Sequence, residues 1–164
     1  MGRQNQGISS NPPALNFLEL RRLRQDLRAN RGLKLASTLL VIFRICNFAH
    51  ANAWYVRYPL YVIFWPLQLI FIRLWLNCEL PLGSNIGGGL NIPHPFNILL
   101  HPDATIGENC QIFHDVSIGM AYPKSTKAPR IGNNVIIGMK SSIIGAVEVP
   151  DNAIVKAHSL VYKT

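Results

Sequence analysis

A chain of 164 residues has room for one domain, or for one small domain with an appendage. Its net charge of +8 is unevenly placed: residues 1–79 hold ten Lys and Arg against Glu19, Asp26 and Glu79, while residues 80–164 hold six against five acids. The C-terminal half is therefore no basic nucleic-acid surface, and no nucleic-acid partner is expected. The three cysteines are odd in number and lie in apolar settings, so they read as reduced, buried thiols of a cytoplasmic protein. No stretch reads as a secretory signal peptide.

Residues 1–15, with Gly, Asn, Ser and Pro12-Pro13, read as a flexible tail. Residues 16–79 read as a helical segment. From Phe17 to Asn30 the residues Phe17, Leu20, Leu23 and Leu27 fall on one helical face, with Arg21, Arg22, Arg24 and Arg28 around it. Asn30-Arg31-Gly32 supplies a stop. A second helix is expected from Leu33 to about Asn52, and a third from Leu60 to Asn77, kinked at Pro66. From Tyr58 to Ile72 only Gln68 and the prolines interrupt apolar residues, which falls short of the roughly 20 that span a bilayer. One reading packs this helix on the rest of the domain or on a partner subunit. Another lays it in a membrane interface at the inner face of the membrane, where the Arg21–Lys34 cluster meets anionic lipid; a true span is the third.

Residues 80–164 carry the strongest pattern. An aliphatic residue returns every sixth position: Leu80, Ile86, Ile92 and Ile98, then, after a two-residue slip, Leu100, Ile106, Ile112 and Ile118. A polar loop over 120–130 intervenes before Ile131, Ile137, Ile143, Val149, Val155 and Val161. Four residues after most of them sits a second inward candidate, usually small, such as Ala104, Cys110 or Ser141. Neither a helix of period 3.6 nor a strand of period 2 gives a six-residue repeat; a mainly β, parallel solenoid with one face per hexad does. Gly87, Gly107, Gly132, Asn133 and Gly138 suit turns of positive φ.

The sequence holds no Gly-x-Ser-x-Gly, P-loop, Cys-x-x-Cys or His-Glu-x-x-His, and nothing in it supports a metal site. Among the histidines His94 stands out, held between Pro93 and Pro95. Three hexads make a coil of about eighteen residues, so a residue fifteen to eighteen back lies on the neighbouring coil. Glu79 is fifteen back. A carboxylate beside an imidazole orients it and supports its protonated form, giving a general base. His114-Asp115 is the weaker candidate, because neighbours on a strand point to opposite faces.

These residues resemble a family. The repeat resembles the left-handed β-helix acyltransferases, and within them the serine O-acetyltransferases, matching in "CELPLGSNIGGGLNIPHPFNILLHPDATIGENCQIFHDVSIGM"; "DLRA" at Asp26–Ala29 and "FR" at Phe43-Arg44 echo the helical domain that precedes the solenoid. The resemblance implies a left-handed parallel β-helix behind an α-helical segment and an acetyl-CoA-dependent O-acetyltransferase. It implies His94 as catalytic histidine and Glu79 as its acidic partner. It places coenzyme A in the groove of a homotrimer, or of a dimer of trimers, with Gly119, Gly138, Met139, Lys140, Ser141, Lys156 and Ala157 as contacts.

On the same resemblance, Asp26 matches an acid that helps bind serine. Pro93 replaces a serine-contacting aspartate, and Lys127-Ala128 replaces an arginine-histidine pair. The acetyl-transfer machinery is kept while the serine clamp is lost, a pattern similar to the exopolysaccharide and colanic-acid-type enzymes. The expectation is therefore a sugar or capsule-glycan hydroxyl as acceptor, with L-serine as the alternative. A reading from another class is a non-catalytic solenoid that binds a membrane or a partner. The family usually runs on past the position of Thr164, through a segment that meets the adenine end of the coenzyme.

Overall fold

The computed structural model describes residues 17–123 and 127–163, so the expected tail lies outside the described residues. Three helices come first: α1 (Leu18–Ala29), α2 (Lys34–His50) and α3 (Trp54–Leu67), the last running on as a π-helix over Gln68–Trp75. The change of register follows from Pro66, which has no N–H to donate and whose ring crowds the preceding turn. Leu76 N–H accordingly reaches the carbonyl of Phe71, five residues back. This helix begins at Trp54, six residues ahead of the expected start, and holds Pro59 inside it.

The repeat folds as a three-walled solenoid of very short parallel strands. One wall stacks β1 (Asn85–Ile86), β3 (Thr105–Ile106), β6 (Arg130–Ile131) and β9 (Glu148–Val149). The second stacks β4 (Gln111–Ile112), β7 (Ile136–Ile137) and β10 (Ile154–Val155). The third stacks β2 (Leu99–Leu100), β5 (Ser117–Gly119), β8 (Ser142–Gly145) and β11 (Leu160–Lys163). The hexad residues from Leu80 to Val155 are buried in one continuous core, as are Ala104, Cys110, Val116, Val135 and Ser141 between them.

Coil length varies where it matters. Leu99 pairs with Ser117 and Asn97 donates to Asp115, 18 residues on, whereas Asn77 donates to Asn97 across 20 and Asn91 bridges Gln111. The two extra residues are thus Pro95 and Phe96, directly after His94, and not the Ile98–Leu100 stretch that the aliphatic rhythm suggested. The glycines also act differently from expectation. Positive φ falls on corner residues such as Asn97, Asn109, Asn134 and Asn152, not on Gly87, Gly107, Gly132 or Gly138. These four glycines are needed for space: a Cβ on Gly138 would stand 2.5 Å from Ala157 N, and one on Gly107 2.5 Å from Gly132 O.

The helices dock through charge. Although α1 is amphipathic, its polar side faces inward: Glu19, Asp26 and Asn30 are buried, while Phe17, Leu18, Leu20 and Leu27 are exposed. The reason is Arg44 on α2, fully buried at the centre. Its guanidinium donates to Asp26 Oδ2 at 2.7 Å, to Glu19 Oε2 at 3.0 Å, to Ile86 O at 2.9 Å and to Gly87 O. Asp26 Oδ1 takes the N–H of Leu90 at 2.8 Å, and Asn30 bonds both Leu90 O and the N–H of Ile92. Burial raises the proton affinity of Asp26, and Arg44 and the amides of Leu90 and Gly89 oppose that rise.

Arg44→Ala leaves two buried carboxylates and two carbonyls unpaired, and should cost about 3–5 kcal/mol in urea unfolding, the usual penalty for breaking a buried ion pair from one side. The thiols give a second test. Cys46, Cys78 and Cys110 are free and buried, and burial pushes Cys46 up to about 11. All three should resist a disulfide reagent at pH 8 until denaturant is added.

Candidate active site

The corner after the second wall gathers the chemistry. Gln111 pairs with Ile136 and Ile136 with Ile154, so His114, Met139 and Ala157 occupy one level on successive coils. Two backbone bonds hold that row: Lys140 N–H to His114 O at 3.1 Å and His158 N–H to Met139 O at 2.9 Å. Beneath His114 stands His94, with ring centroids 5.8 Å apart and planes at 79°. Consecutive strands lie about 4.8 Å apart, so the row from His94 to Ala157 extends about 14 Å along one edge.

His94 is exposed, as a base that must meet a substrate requires. The Pro95-Phe96 insertion explains why: Phe96 N–H folds back to His94 O at 2.9 Å, and the widened corner carries the imidazole outward. His114 belongs to the site, contrary to the expectation from strand alternation. Residues 113–116 turn a corner, with Asp115 at φ 57°, so alternation does not apply. The Nε2 of His114 lies 3.9 Å from Asp115 Oδ2, and its Nδ1 is buried with no hydrogen-bond partner. Asp115 is itself held by Asn97, at 2.7 Å.

Of the expected coenzyme contacts, Met139, Lys140, Lys156 and Ala157 are exposed along this edge and Gly138 is half-buried beside it, whereas Gly119, also half-buried, ends β5 on the third wall level with Ile144. Lys140 has φ 58°, a conformation that costs an ordinary side chain about 1–2 kcal/mol. Ser141 is a correction. It is fully buried, its hydroxyl lies 2.7 Å from Gly138 O and 2.9 Å from Lys156 O, and it ties two coils together instead of facing a ligand.

Two other expectations change. Glu79 does not pair with His94: its backbone bridges Leu99, on the third wall, and its carboxylate meets Arg73 at 3.0 Å, with both side chains largely exposed. A cavity of about 290 Å³ opens beside it, between the π-helix and Leu100 and Pro102. Asp26, expected as a substrate contact, is fully buried and bonded to Arg44 and Leu90. Pro93 and Ala128 are half-buried, Ala128 against the core, and Lys127 is exposed at the foot of the loop. Among the described residues no three His, Cys, Asp or Glu gather as a metal site. A hollow of about 530 Å³ lies on α1 between Leu20, Leu27 and Arg31, and no histidine lines it.

Set against known proteins, the chain is 28% identical over 92 residues to the serine acetyltransferase of Synechococcus elongatus, a match over 56% of this chain and 38% of that one. With the serine acetyltransferase of Helicobacter pylori identity is 31% over 90 residues, 54% of this chain and 53% of that one. The crystal structure of serine acetyltransferase from Neisseria gonorrhoeae in complex with serine superposes with a TM-score of 0.69 at 22% identity, covering 88% of this chain and 62% of that one. That of Brucella abortus in complex with coenzyme A gives the same TM-score and identity over 88% and 61%. The fold is that of the serine acetyltransferases. No protein-family profile matches the chain. It spans about half the length, or less, of the curated relatives it matches. The exopolysaccharide style expected from the sequence finds no support among these relatives.

The stacked histidines give a direct check. His114→Ala should shift the His94 Hε1 resonance by removing the ring current, while the dispersion of the methyl spectrum stays that of the parent. An unmoved His94 signal would separate the two rings.

Proposed function

We propose that the protein is an acetyl-CoA-dependent O-acetyltransferase with His94 as general base. The observation that carries this is the exposed His94, raised on a two-residue insertion at the foot of the edge formed by His114, Met139 and Ala157. The similarity of the chain to serine acetyltransferases supports it. In this reading His94 takes the proton of the acceptor hydroxyl as its oxygen attacks the thioester carbonyl. Collapse of the tetrahedral intermediate expels the coenzyme thiolate, which recovers that proton, leaving an O-acetyl ester and free thiol.

The edge above His94 suits an extended thioester, with Lys140 and Lys156 offering charge to phosphates. Glu79 lies close by in the chain path, since Cys78 Sγ reaches Pro95 O at 3.5 Å. Supporting the imidazolium would require its carboxylate to leave Arg73. The reading includes a left-handed coil and a homotrimer whose subunits close the groove over this edge.

L-Serine is the acceptor backed by the names of the relatives, ahead of the sugar hydroxyl expected from the sequence. A sugar hydroxyl stays as second reading on one observation. Asp26, the acid expected to help hold the serine, is spent on Arg44, and Pro93 and Ala128 offer no charge for an ammonium or carboxylate.

Thiol release from acetyl-CoA decides among these. Saturable release with L-serine is expected; release with sugars alone would move the acceptor to the second reading, and release with neither would overturn both. His94→Ala should lower turnover by about 10²–10⁴-fold, the range for a lost general base. Glu79→Gln should lower it less, because the base itself remains. Activity that survives His94→Ala but not His114→Ala would exchange the two roles.

A further inference from the structure

We propose that α3 and the π-helix after it form an interfacial helix that seats the protein on an anionic lipid bilayer, with its axis in the plane of the surface. The helix from Trp54 to Trp75 is 22 residues long and apolar enough to cross a membrane, yet almost none of it is buried. Two adjacent rows spaced by four residues face outward: Trp54, Tyr58 and Val62, then Tyr55, Ile63 and Leu67. Val62 is 77% exposed and Trp54 70%. Such a surface in water is costly at about 25 cal/mol per Å².

The inner side of the same helix decides its orientation. Phe64 and Phe71 pack on the core, Gln68 donates to Leu80 O at 3.4 Å, and Ile72 is buried. These contacts line the C-terminal half of the helix, and Tyr61 Oη lies 3.0 Å from His50 Nδ1 on α2, so the helix lies against the domain. Only the outward rows are left for lipid. Trp and Tyr are the side chains that favour the water–hydrocarbon boundary, and all three tryptophans of the chain, Trp54, Trp65 and Trp75, are exposed here.

Charge chooses the occupant. Among the described residues from 17 to 78 the only acids are Glu19 and Asp26, and both are buried in ion pairs. Up to Cys78 the exposed charge is therefore positive, with Arg21, Arg24, Arg28, Arg31 and Lys34 at the surface, and the exposed acid that follows, Glu79, is paired with Arg73. A second copy docked helix to helix would bring two such segments together against like-charge repulsion. An anionic bilayer attracts a segment of this net charge and wets both apolar rows, where a protein groove would take one.

The tryptophans supply the probe. The full chain is titrated with vesicles of phosphatidylcholine alone and with one part in three phosphatidylglycerol, reading the emission maximum and flotation. Binding with a blue shift on the anionic vesicles is expected, weaker on the neutral ones and weakened by salt. Val62→Glu and Ile63→Glu touch no core contact and should lower vesicle affinity about tenfold or more, with thermal unfolding and turnover on soluble acceptors unchanged. Absence of flotation with either vesicle would overturn the proposal. So would concentration-dependent self-association that Val62→Glu abolishes, which would assign the face to a second copy. Quenching that is strongest from lipids brominated at the chain end would place the helix across the bilayer and would also overturn it.

Discussion

Everything in the upper half of the molecule depends on where one guanidinium goes. Arg44 is fully buried, and a buried cation is tolerable only with its charge paired and its donors used. Asp26 and Glu19 pair it from α1, and the carbonyls of Ile86 and Gly87 take two more of its donors from the first coil. Such a cluster contributes less net stability than an apolar plug of the same size would. What it supplies is a single allowed arrangement, because a fixed planar fork cannot slide along its partners as a leucine could.

That arrangement reaches the reactive corner in short steps. Asp26 and Asn30 grip Leu90 and Ile92, and Asn91 donates to Ala29 O at 3.0 Å. Two residues later the chain arrives at His94. The imidazole is thus exposed on a backbone that is pinned from behind, the condition a positioned base needs. The cost appears on the far side of α1 and along α3. With the polar side of α1 turned inward, its leucines face water, and α3 keeps two apolar rows outside.

The solenoid was legible because its period has no competitor. Six-residue spacing from Leu80 to Val161 excludes both common elements, and the structure buries nearly every residue of the series. Helix positions were also readable to within a residue for α1 and to within two for α2. The orientation of α1 was not, since periodicity assumes that apolar faces go inward and cannot see a buried ion pair with its partner 18 residues away. The His94–His114 pairing was missed for a related reason. It depends on two added residues at Pro95-Phe96, which change a coil of 18 into one of 20 and bring the rings level. Asp26 was singled out by the resemblance as a substrate contact, whereas the structure buries it on Arg44, a partner that no sequence pattern pointed to. The expected Glu79 contact rested on counting back fifteen positions, and side-chain rotation toward Arg73 lies beyond any count.

The variable coil length has a consequence for how the chain is made. After the first strand of each wall, every strand pairs with one that left the ribosome 18 to 25 residues earlier, so each new coil finds a finished edge waiting. The helices have no such help. Arg44 must wait for Ile86 and Gly87, 42 and 43 residues downstream, which at roughly 5–20 residues per second is a delay of about 2–9 s. During that interval the nascent α3 emerges with no solenoid to lie on. The order of synthesis therefore exposes the greasiest segment before its solenoid exists and gives it, for a few seconds, only α2, the ribosome surface and whatever apolar phase lies nearby.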